Sequence, residues 1–321
     1  MQFAQGPLGE TSTLQEGDKK RFDGPTADGS SVDERLRSIY SRGARRYDER
    51  RYFSWKGNFK KGVLTDLLVN LVGPTPSTRI LDVATGTGTA ALPLAERGAQ
   101  VIGVDLVLAM MMQARSKARE QGTPDLPFVQ GNARVLPFAD GTFDVATCVM
   151  LFHLLPRNMY GVTLDEILRV LKPGGVAVIE YANPFHGLIA ELFRVLFQGR
   201  RVSYLWPWEI RRLSPNARVT RIRGTYLPLT QAIARWNRPV GRMLVNAGRV
   251  FPLNRLCSEL FIVARKGSPD PQAVSAGSTM SARSGSPGDR AAVGQPSRTR
   301  EASQPSPASG RTERDRQPHS S

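Results

Sequence analysis

Residues 79–105, RILDVATGTGTAALPLAERGAQVIGVD, constrain the fold of this chain more than any other stretch. A short apolar run ends in a turn of Gly and Thr, an amphipathic helix follows, and a second apolar run ends at Asp105. Short apolar runs bounded by turn residues are typical of buried parallel strands. Gly86 and Gly88 permit a tight turn and leave room for a ligand to come close. The stretch therefore predicts a strand, turn, helix and strand of an open parallel sheet.

Two carboxylates, Asp82 and Asp105, stand near the carboxyl ends of these predicted strands, where open parallel sheets bind their ligands. At the end of the second strand, Asp105 can accept hydrogen bonds from both hydroxyls of an adenosine ribose, which suits NAD as well as other adenosine ligands. Asp82 lies beside the place where a dinucleotide would put its pyrophosphate, and a carboxylate there repels phosphate but attracts an ammonium group. S-adenosylmethionine, with adenosine at one end and a cationic amino acid at the other, fits both carboxylates.

Four segments resemble, in order, the motifs of the class I S-adenosylmethionine-dependent methyltransferases. They are LDVATGTG, GVDLVLAMM, QGNARVLPFADGTFDVATC and DEILRVLKPGGVAVIE, and the resemblance covers about residues 40–265. It implies a doubly wound α/β fold with a mostly parallel, seven-stranded Rossmann-like sheet whose last strand is antiparallel. It also implies helical lid elements at the N-terminus and after strand five. The activity implied is methyl transfer from S-adenosylmethionine to a small, largely apolar acceptor, with a loose similarity to quinone-biosynthesis methyltransferases.

The family's cofactor-binding positions carry over onto this sequence with a few departures. Ala84 replaces the first motif glycine, Asn132 stands where the family often has Asp, and Val107 stands where it often has Ser. The Asn132 amide oxygen can still accept a hydrogen bond from the adenine amino group, although a charge is lost. The residues expected to bind the cofactor are Asp82, Ala84, Thr85, Gly86, Gly88, Asp105, Leu106, Met110, Asn132, Ala133 and Met150.

Candidates for the chemical step follow the fourth and fifth predicted strands. His153 is a candidate general base, since histidine exchanges protons near neutral pH, and Glu180 is placed to orient an acceptor. Each also has a simpler interpretation, His153 as a pocket-wall residue and Glu180 as the partner of an arginine. No metal is expected, because no cluster of ligands has suitable spacing. The segment MLFHLLP lacks the (D/N)-P-P-(Y/F) signature, so nucleic-acid base methylation is not favoured.

Composition divides the chain into three parts. Residues 1–32 are polar, lack periodicity and are predicted to be disordered. Residues 33–266 are predicted to form the methyltransferase domain, and the Ser-, Pro- and Arg-rich residues 267–321 are also predicted to be disordered. Helices are predicted at residues 31–40, with Ser31 as N-cap, and at 59–71, 107–120, 164–171 and 230–250, the last interrupted at Pro239. Strands are predicted at 80–83, 101–104, 126–130, 143–149, 176–180, 218–227 and 258–265.

Two predicted lid elements flank this domain. The first is the aromatic N-terminal segment, in which Tyr47, Tyr52, Phe53 and Trp55 are candidates to line the lid or to pack it onto the core. The second is residues 183–215, with a strongly apolar helix and two tryptophans, interpreted as a lid insertion over an apolar acceptor or as a helix of the core.

Charge and cysteine content restrict the partners and the compartment. The net charge of +16 leaves open a solvated basic face or contact with an anionic membrane surface. Two cysteines without metal-binding spacing, no membrane-spanning run and no signal-peptide pattern predict a cytoplasmic protein. The alternatives kept open are an NAD-dependent oxidoreductase and a non-catalytic S-adenosylmethionine-fold binding protein.

Overall fold

The computed structural model describes residues 29–123, 126–183, 209–227 and 229–267. All of these residues belong to one compact unit, Met1–Pro269. Most of the predicted N-terminal segment (residues 1–32), the greater part of the predicted lid insertion (183–215) and almost all of the predicted tail (267–321) lie outside the described residues.

A seven-stranded sheet forms the centre of this unit. Its strand order is β3-β2-β1-β4-β5-β7-β6, and β7 runs antiparallel to both of its neighbours. The order reverses between β1 and β4, which makes this the switch point at which open α/β sheets bind ligands. The predicted fold class and the antiparallel last strand are confirmed. The strands are β1 Arg79–Val83, β2 Gln100–Asp105, β3 Phe128–Gln130, β4 Phe143–Cys148, β5 Leu171–Ala182, β6 Ala217–Gly224 and β7 Glu259–Lys266.

Helices precede the sheet and connect its strands. Short 3-10 turns at Ala44–Arg46, Phe152–Leu154, Arg157–Met159 and Leu253–Leu256 join some of them. The α-helices of the described residues are α1 Gly29–Gly43, α2 Tyr47–Tyr52, α3 Trp55–Val72, α4 Ala91–Ala95, α5 Leu108–Glu120, α6 Tyr160–Arg169, α7 Glu209–Leu213, α8 Thr230–Trp236 and α9 Arg238–Gly248.

Helical periodicity predicts the buried faces well. In the helix predicted at 107–120, helical spacing places Met110, Met111, Ala114 and Ala118 on one side, and all four side chains are buried in α5. The predicted interruption near Pro239 is also present, because α8 ends at Trp236 and α9 begins at Arg238. The side chain of Asn237 accepts a hydrogen bond from Val240 N and so caps α9 at the break.

Several predicted boundaries differ from those of the structure, and two of the differences change the role of a residue. Ser31 is not an N-cap, because α1 already includes Gly29 and Ser31 lies inside the helix. The helix predicted at residues 164–171 instead ends at Arg169, and Leu171 is the first residue of β5. Leu171 is fully buried and pairs with Phe143 of β4, so burial in the sheet outweighs the helical pattern there.

Candidate active site

The turn after β1 adopts backbone angles that favour glycine. Gly86 and Gly88 have φ angles of +53° and +79°, and Ala84 has a φ angle of +59°. A Cβ atom on Gly88 would lie 3.1 Å from Leu92 Cγ, so Gly88 is needed for close packing of the turn against α4. At Gly86 the nearest side-chain atom, Met110 Cε, would be 3.6 Å away, so a Cβ atom there would contact the cleft lining without a clash.

A cleft opens between this edge of the sheet and helices α1 and α2. It encloses about 1090 Å³ of empty space when its open mouth is included. Gly88 and Glu180, both expected at the site, do not line it. The expected residues that do line it are Asp82, Ala84, Thr85, Gly86, Asp105, Leu106, Met110, Asn132, Ala133, Met150 and His153.

Asp105 at the end of β2 is held rigidly by the backbone. Its Oδ2 accepts a hydrogen bond from Gly86 N and its Oδ1 accepts one from Val107 N, both at 2.8 Å. Burial raises its pKa, and these backbone hydrogen bonds oppose the increase. Each carboxylate oxygen retains a second lone pair, so the carboxylate can still accept two hydroxyl groups from a ligand.

Asp82 is a buried carboxylate with one oxygen unsatisfied. Its Oδ1 accepts a 2.6 Å hydrogen bond from Thr147 Oγ1 on the adjacent strand β4. Its Oδ2 is buried and accepts no hydrogen bond of good geometry from the described residues, although the Thr85 side chain and the Ala91 backbone lie close to the carboxylate. Burial raises the pKa of Asp82 to about 6, although the Thr147 hydrogen bond opposes this. A buried carboxylate oxygen without a donor is energetically unfavourable, which suits a site completed by a cationic ligand.

Asn132 contacts a carboxylate supplied by the N-terminal helix. Its Nδ2 donates to Asp33 Oδ2 at 2.6 Å, and its Oδ1 accepts from Arg134 N at 3.0 Å. Asp33 also forms an ion pair with Arg134 at 2.7 Å, and both side chains are only 14% exposed. Asp33 on α1 therefore brings a negative charge next to Asn132, at the position where the sequence alone suggests that a charge is lost.

Arg51 of α2 reaches across the cleft to the end of β4. Its Nη2 contacts Met150 Sδ at 2.9 Å, and its Nε is buried without a hydrogen-bond partner among the described residues. The guanidinium carbon lies 5.9 Å from the ring centroid of Tyr47 and 6.0 Å from that of Tyr52. No carboxylate within the described ranges forms an ion pair with Arg51, so a partly buried cation faces the cleft with one nitrogen unsatisfied.

Glu180 lies behind the cleft wall. Its carboxylate is buried and accepts a 2.8 Å hydrogen bond from Met150 N, which holds Met150 at a φ angle of +64°. Burial raises the pKa of Glu180 to about 7, and the neighbouring carboxylate of Glu259 adds to the increase. Glu259 itself forms an ion pair with Lys60 of α3. Glu180 thus contacts the wall from behind rather than the space a ligand would occupy.

His153 lies in the short 3-10 turn Phe152–Leu154 at the mouth of the cleft, and its side chain is exposed. Among the aromatic residues predicted in the N-terminal lid, Tyr47 and Tyr52 line the cleft with His153. Phe53 instead is 89% exposed, and Trp55 stacks on Phe59 outside the cleft at a centroid distance of 5.3 Å.

A hydrogen-bonded cluster ties the N-terminal helices to the glycine turn. Asp48 of α2 accepts a 2.7 Å hydrogen bond from Thr87 Oγ1. It also forms an ion pair with Lys117 Nζ of α5 at 2.5 Å. Burial lowers the pKa of Lys117, and the Asp48 contact opposes the decrease. These contacts keep α2 against the turn that follows β1.

Sequence reasoning did not identify Asp33, Tyr40, Asp48 or Arg51 as site residues. Asp33, Leu36 and Tyr40 line the cleft from successive turns of α1, and Tyr47 and Arg51 line it from α2. Positions separated by three or four residues share a helix face, so this spacing is the signal that could have found them.

Other kinds of site are not seen in the described part of the chain. No group of three or more His, Cys, Asp or Glu side chains there could hold a metal ion. None of its helices is long and apolar enough to cross a lipid bilayer. Cys148 and Cys257 are both buried and free.

Comparison with known proteins points to one family. A model described as "Methyltransferase domain" matches residues 80–175. The demethylmenaquinone methyltransferase of Renibacterium salmoninarum is 42% identical over 38% of this chain and 48% of its own length. The demethylmenaquinone methyltransferase of Thermus thermophilus is 44% identical over 37% of this chain and 54% of its own length. That of Deinococcus radiodurans is 39% identical over 49% of this chain and 72% of its own length.

Solved structures show the same fold. The magnesium protoporphyrin IX methyltransferase of Synechocystis PCC 6803, with SAH bound, aligns with a TM-score of 0.55 at 15% identity and covers 72% of this chain and 98% of its own. The fold is thus that of the class I methyltransferases. With the identity to the Deinococcus protein over most of its length, the chain belongs to the S-adenosylmethionine-dependent methyltransferase family, similar to the quinone methyltransferases. It spans about half the length of the Renibacterium and Thermus relatives.

Proposed function

We propose that this protein transfers a methyl group from S-adenosylmethionine to a small, largely apolar, quinone-like acceptor. The observation that carries the proposal is the unsatisfied Oδ2 of Asp82, a buried carboxylate oxygen on the cleft wall. An ammonium group would satisfy this oxygen, whereas a phosphate would be repelled by it. The site therefore favours a ligand with a cationic amino acid over a dinucleotide.

The remaining groups of the cleft match the other parts of such a ligand. Asp105 has one free lone pair on each oxygen for the ribose hydroxyls, and Asn132 retains one on Oδ1 for the adenine amino group. Arg51, a guanidinium with an unsatisfied Nε, suits the carboxylate of the amino-acid part. When bound, S-adenosylmethionine supplies a methyl carbon made electrophilic by the adjoining sulfonium.

The acceptor end of the cleft favours an apolar molecule. Met150, Leu151, Leu154 and Leu155 line it beyond the end of β4, and His153 stands at its mouth. In this proposal His153 takes a proton from an acceptor hydroxyl or acidic carbon. Glu180 is a positioning residue that fixes Met150 through its backbone N–H. The names of the relatives make a demethylated menaquinone the first acceptor to test.

Three further assignments belong to this proposal. The catalytic domain extends over residues 33–266, with a lid insertion at 183–215 and an appended tail at 267–321. The protein works in the cytoplasm, where two thiols such as Cys148 and Cys257 stay unpaired. Its basic surface contacts the anionic face of a membrane that carries the acceptor.

The alternatives make different binding predictions. An NAD-dependent oxidoreductase would bind NAD, and a non-catalytic binding protein would bind S-adenosylmethionine without transferring its methyl group. Calorimetric titration of the full chain with S-adenosylhomocysteine and with NAD distinguishes the proposed methyltransferase from an NAD-dependent oxidoreductase. We expect micromolar binding of S-adenosylhomocysteine and none of NAD. Tight NAD binding without binding of S-adenosylhomocysteine would refute the proposal.

The same titration of the Asp105→Ala variant tests whether Asp105 lies in the ligand site. It removes charge-assisted hydrogen bonds worth roughly 1.5–3 kcal/mol each, so the affinity for S-adenosylhomocysteine should fall steeply. Asp66→Asn on the exposed face of α3 is the control and should bind as the wild type does. Equal affinities of the Asp105→Ala and control proteins would show that Asp105 is not in the ligand site.

A further inference from the structure

An exposed apolar surface covers the helices between β6 and β7. Trp236 is 90% exposed, Phe251 is 65% exposed and Met243 is 60% exposed. Helix α8 contacts α9, and α9 contacts the 3-10 turn Leu253–Leu256, so these exposed residues belong to neighbouring elements. We call it the α8–α9 surface. Its exposed large apolar residues are Leu229, Trp236, Val240, Met243, Val250, Phe251, Leu253 and Leu256.

The same surface is positively charged and has no acidic side chain. Residues 229–257 contain no Asp or Glu. Among the described residues, no carboxylate forms an ion pair with Arg235, Arg238 or Arg242. The Arg255 guanidinium lies 4.9 Å from the centroid of the exposed Phe251 ring. Large apolar side chains interspersed with arginines are typical of surfaces that lie in a membrane interface. The arginines in this stretch are Arg235, Arg238, Arg242, Arg249 and Arg255.

A groove at the edge of this surface has the same character. Arg238 and Arg242 line it from α9, and the stacked rings of Trp55 and Phe59 line it from α3. The groove therefore combines two cations with flat aromatic surface, which matches a negatively charged head group next to an apolar chain.

The topology places this surface at the edge of the sheet where the cleft opens. Strand β6 is parallel to β5, because each is antiparallel to β7. Helix α8 follows the carboxyl end of β6, and the 3-10 turn precedes Glu259 of β7, which pairs with Ala182 near the carboxyl end of β5. The cleft lies at the carboxyl ends of β1, β2 and β4, so both features share one edge.

We propose that the α8–α9 surface docks the protein on an anionic lipid membrane. The positive charge complements anionic head groups, and Trp236, Met243 and Phe251 enter the interface between head groups and acyl chains. An acidic protein partner would also complement the arginines, but it gives no reason for so many large apolar side chains to surround them. Docking does not depend on the methyltransferase activity. The α8–α9 surface is the part of the basic surface that makes the membrane contact named in the proposed function, which adds that this membrane carries the acceptor.

Flotation of the full chain with lipid vesicles tests the docking. We expect the protein to float with vesicles of phosphatidylcholine and phosphatidylglycerol at low salt, and to stay unbound with phosphatidylcholine alone. The double variant Arg238→Gln/Arg242→Gln should bind the anionic vesicles roughly thirtyfold more weakly, as expected for the loss of two arginines near a charged bilayer. The apolar variant Met243→Ser should also weaken binding.

Helix α5 offers matched controls on another part of the molecule. Arg115 and Arg119 are exposed and have the same spacing as Arg238 and Arg242, so Arg115→Gln/Arg119→Gln makes an equal change of charge. Met112 is 52% exposed, and Met112→Ser matches the change at Met243. All variants should bind S-adenosylhomocysteine as the wild type does, which shows that they are folded.

Three outcomes would overturn the docking proposal. One is absence of binding to anionic vesicles at low salt, and another is an equal loss of binding in the α5 controls. The third is a wild-type dimer that Met243→Ser converts to a monomer without any vesicle binding, which would assign the surface to a second copy of the chain.

Discussion

Replacement of Asp82 by Asn should make the ligand-free protein more stable and, at the same time, weaken its binding of S-adenosylhomocysteine. The side chain keeps its shape and its contact with Thr147, but it can no longer ionise. The pKa of Asp82 is raised from 3.8 to about 6, which means that the folded protein holds this proton more tightly than the unfolded chain does. A shift of about two units corresponds to roughly 3 kcal/mol of stability that is lost when Asp82 is charged.

The sign of the effect fixes its pH window. Because the folded-state pKa is the higher one, the Asp82 contribution lowers the stability of the wild type as pH rises from about 4 to about 6. Asp82→Asn removes this contribution. Urea unfolding of the ligand-free proteins at pH 7 should therefore give the variant an advantage of up to about 3 kcal/mol, which disappears below pH 4.

Ligand binding should change in the opposite direction. Loss of a charge-assisted hydrogen bond to the ligand ammonium should weaken the binding of S-adenosylhomocysteine by roughly 1.5–3 kcal/mol, or about 10- to 150-fold in affinity. The affinity for 5′-methylthioadenosine, which has no amino-acid group, should not change. A variant that is less stable than the wild type at pH 7, or one that binds S-adenosylhomocysteine with unchanged affinity, would refute the role assigned to Asp82.

Three further predictions concern the walls of the cleft. Gly86→Val should abolish S-adenosylhomocysteine binding in calorimetry, because a β-branched residue resists a φ angle of +53° and fills the cleft. The control is Gly122→Val, which has a φ angle of +62° and open space around it; it should strain the backbone equally but still bind the ligand. Asp48→Asn should speed the hydrogen exchange of the α2 amides, because its Lys117 ion pair is lost. Unchanged exchange would show that this ion pair does not hold α2 against the turn after β1. Glu180→Gln should remove a fall in wild-type stability between about pH 4.5 and 7, since burial raises the pKa of Glu180; a variant that keeps this fall would place its origin elsewhere.

The parts of the fold that were predicted correctly depend on local patterns. The turn after β1 is recognisable because its strands, glycines and helix are adjacent in sequence. The buried side of α5 follows from its helical periodicity alone. The break near Pro239 follows from the absence of a proline N–H and the capping ability of Asn237.

The parts that were missed depend on contacts between distant residues. The Asn132–Asp33 hydrogen bond and the Arg51–Met150 contact each join residues 99 positions apart. No spacing rule brings such pairs together, because the path of the N-terminal helices over the sheet decides them. The placement of Glu180 was limited by a strand boundary. β5 extends to Ala182, so Glu180 lies inside the sheet, paired with Phe261, rather than at the rim.

Transfer of a labelled methyl group is the most direct test of the proposed function. The full chain is incubated with methyl-labelled S-adenosylmethionine and a reduced demethylmenaquinone, and the lipid extract is analysed for label. We predict label in the quinone fraction, with little or none for Asp105→Ala and undiminished transfer for Asp66→Asn. Binding of S-adenosylhomocysteine without transfer to this or any other apolar acceptor in a lipid extract would contradict the assignment as a methyltransferase of lipid-like molecules.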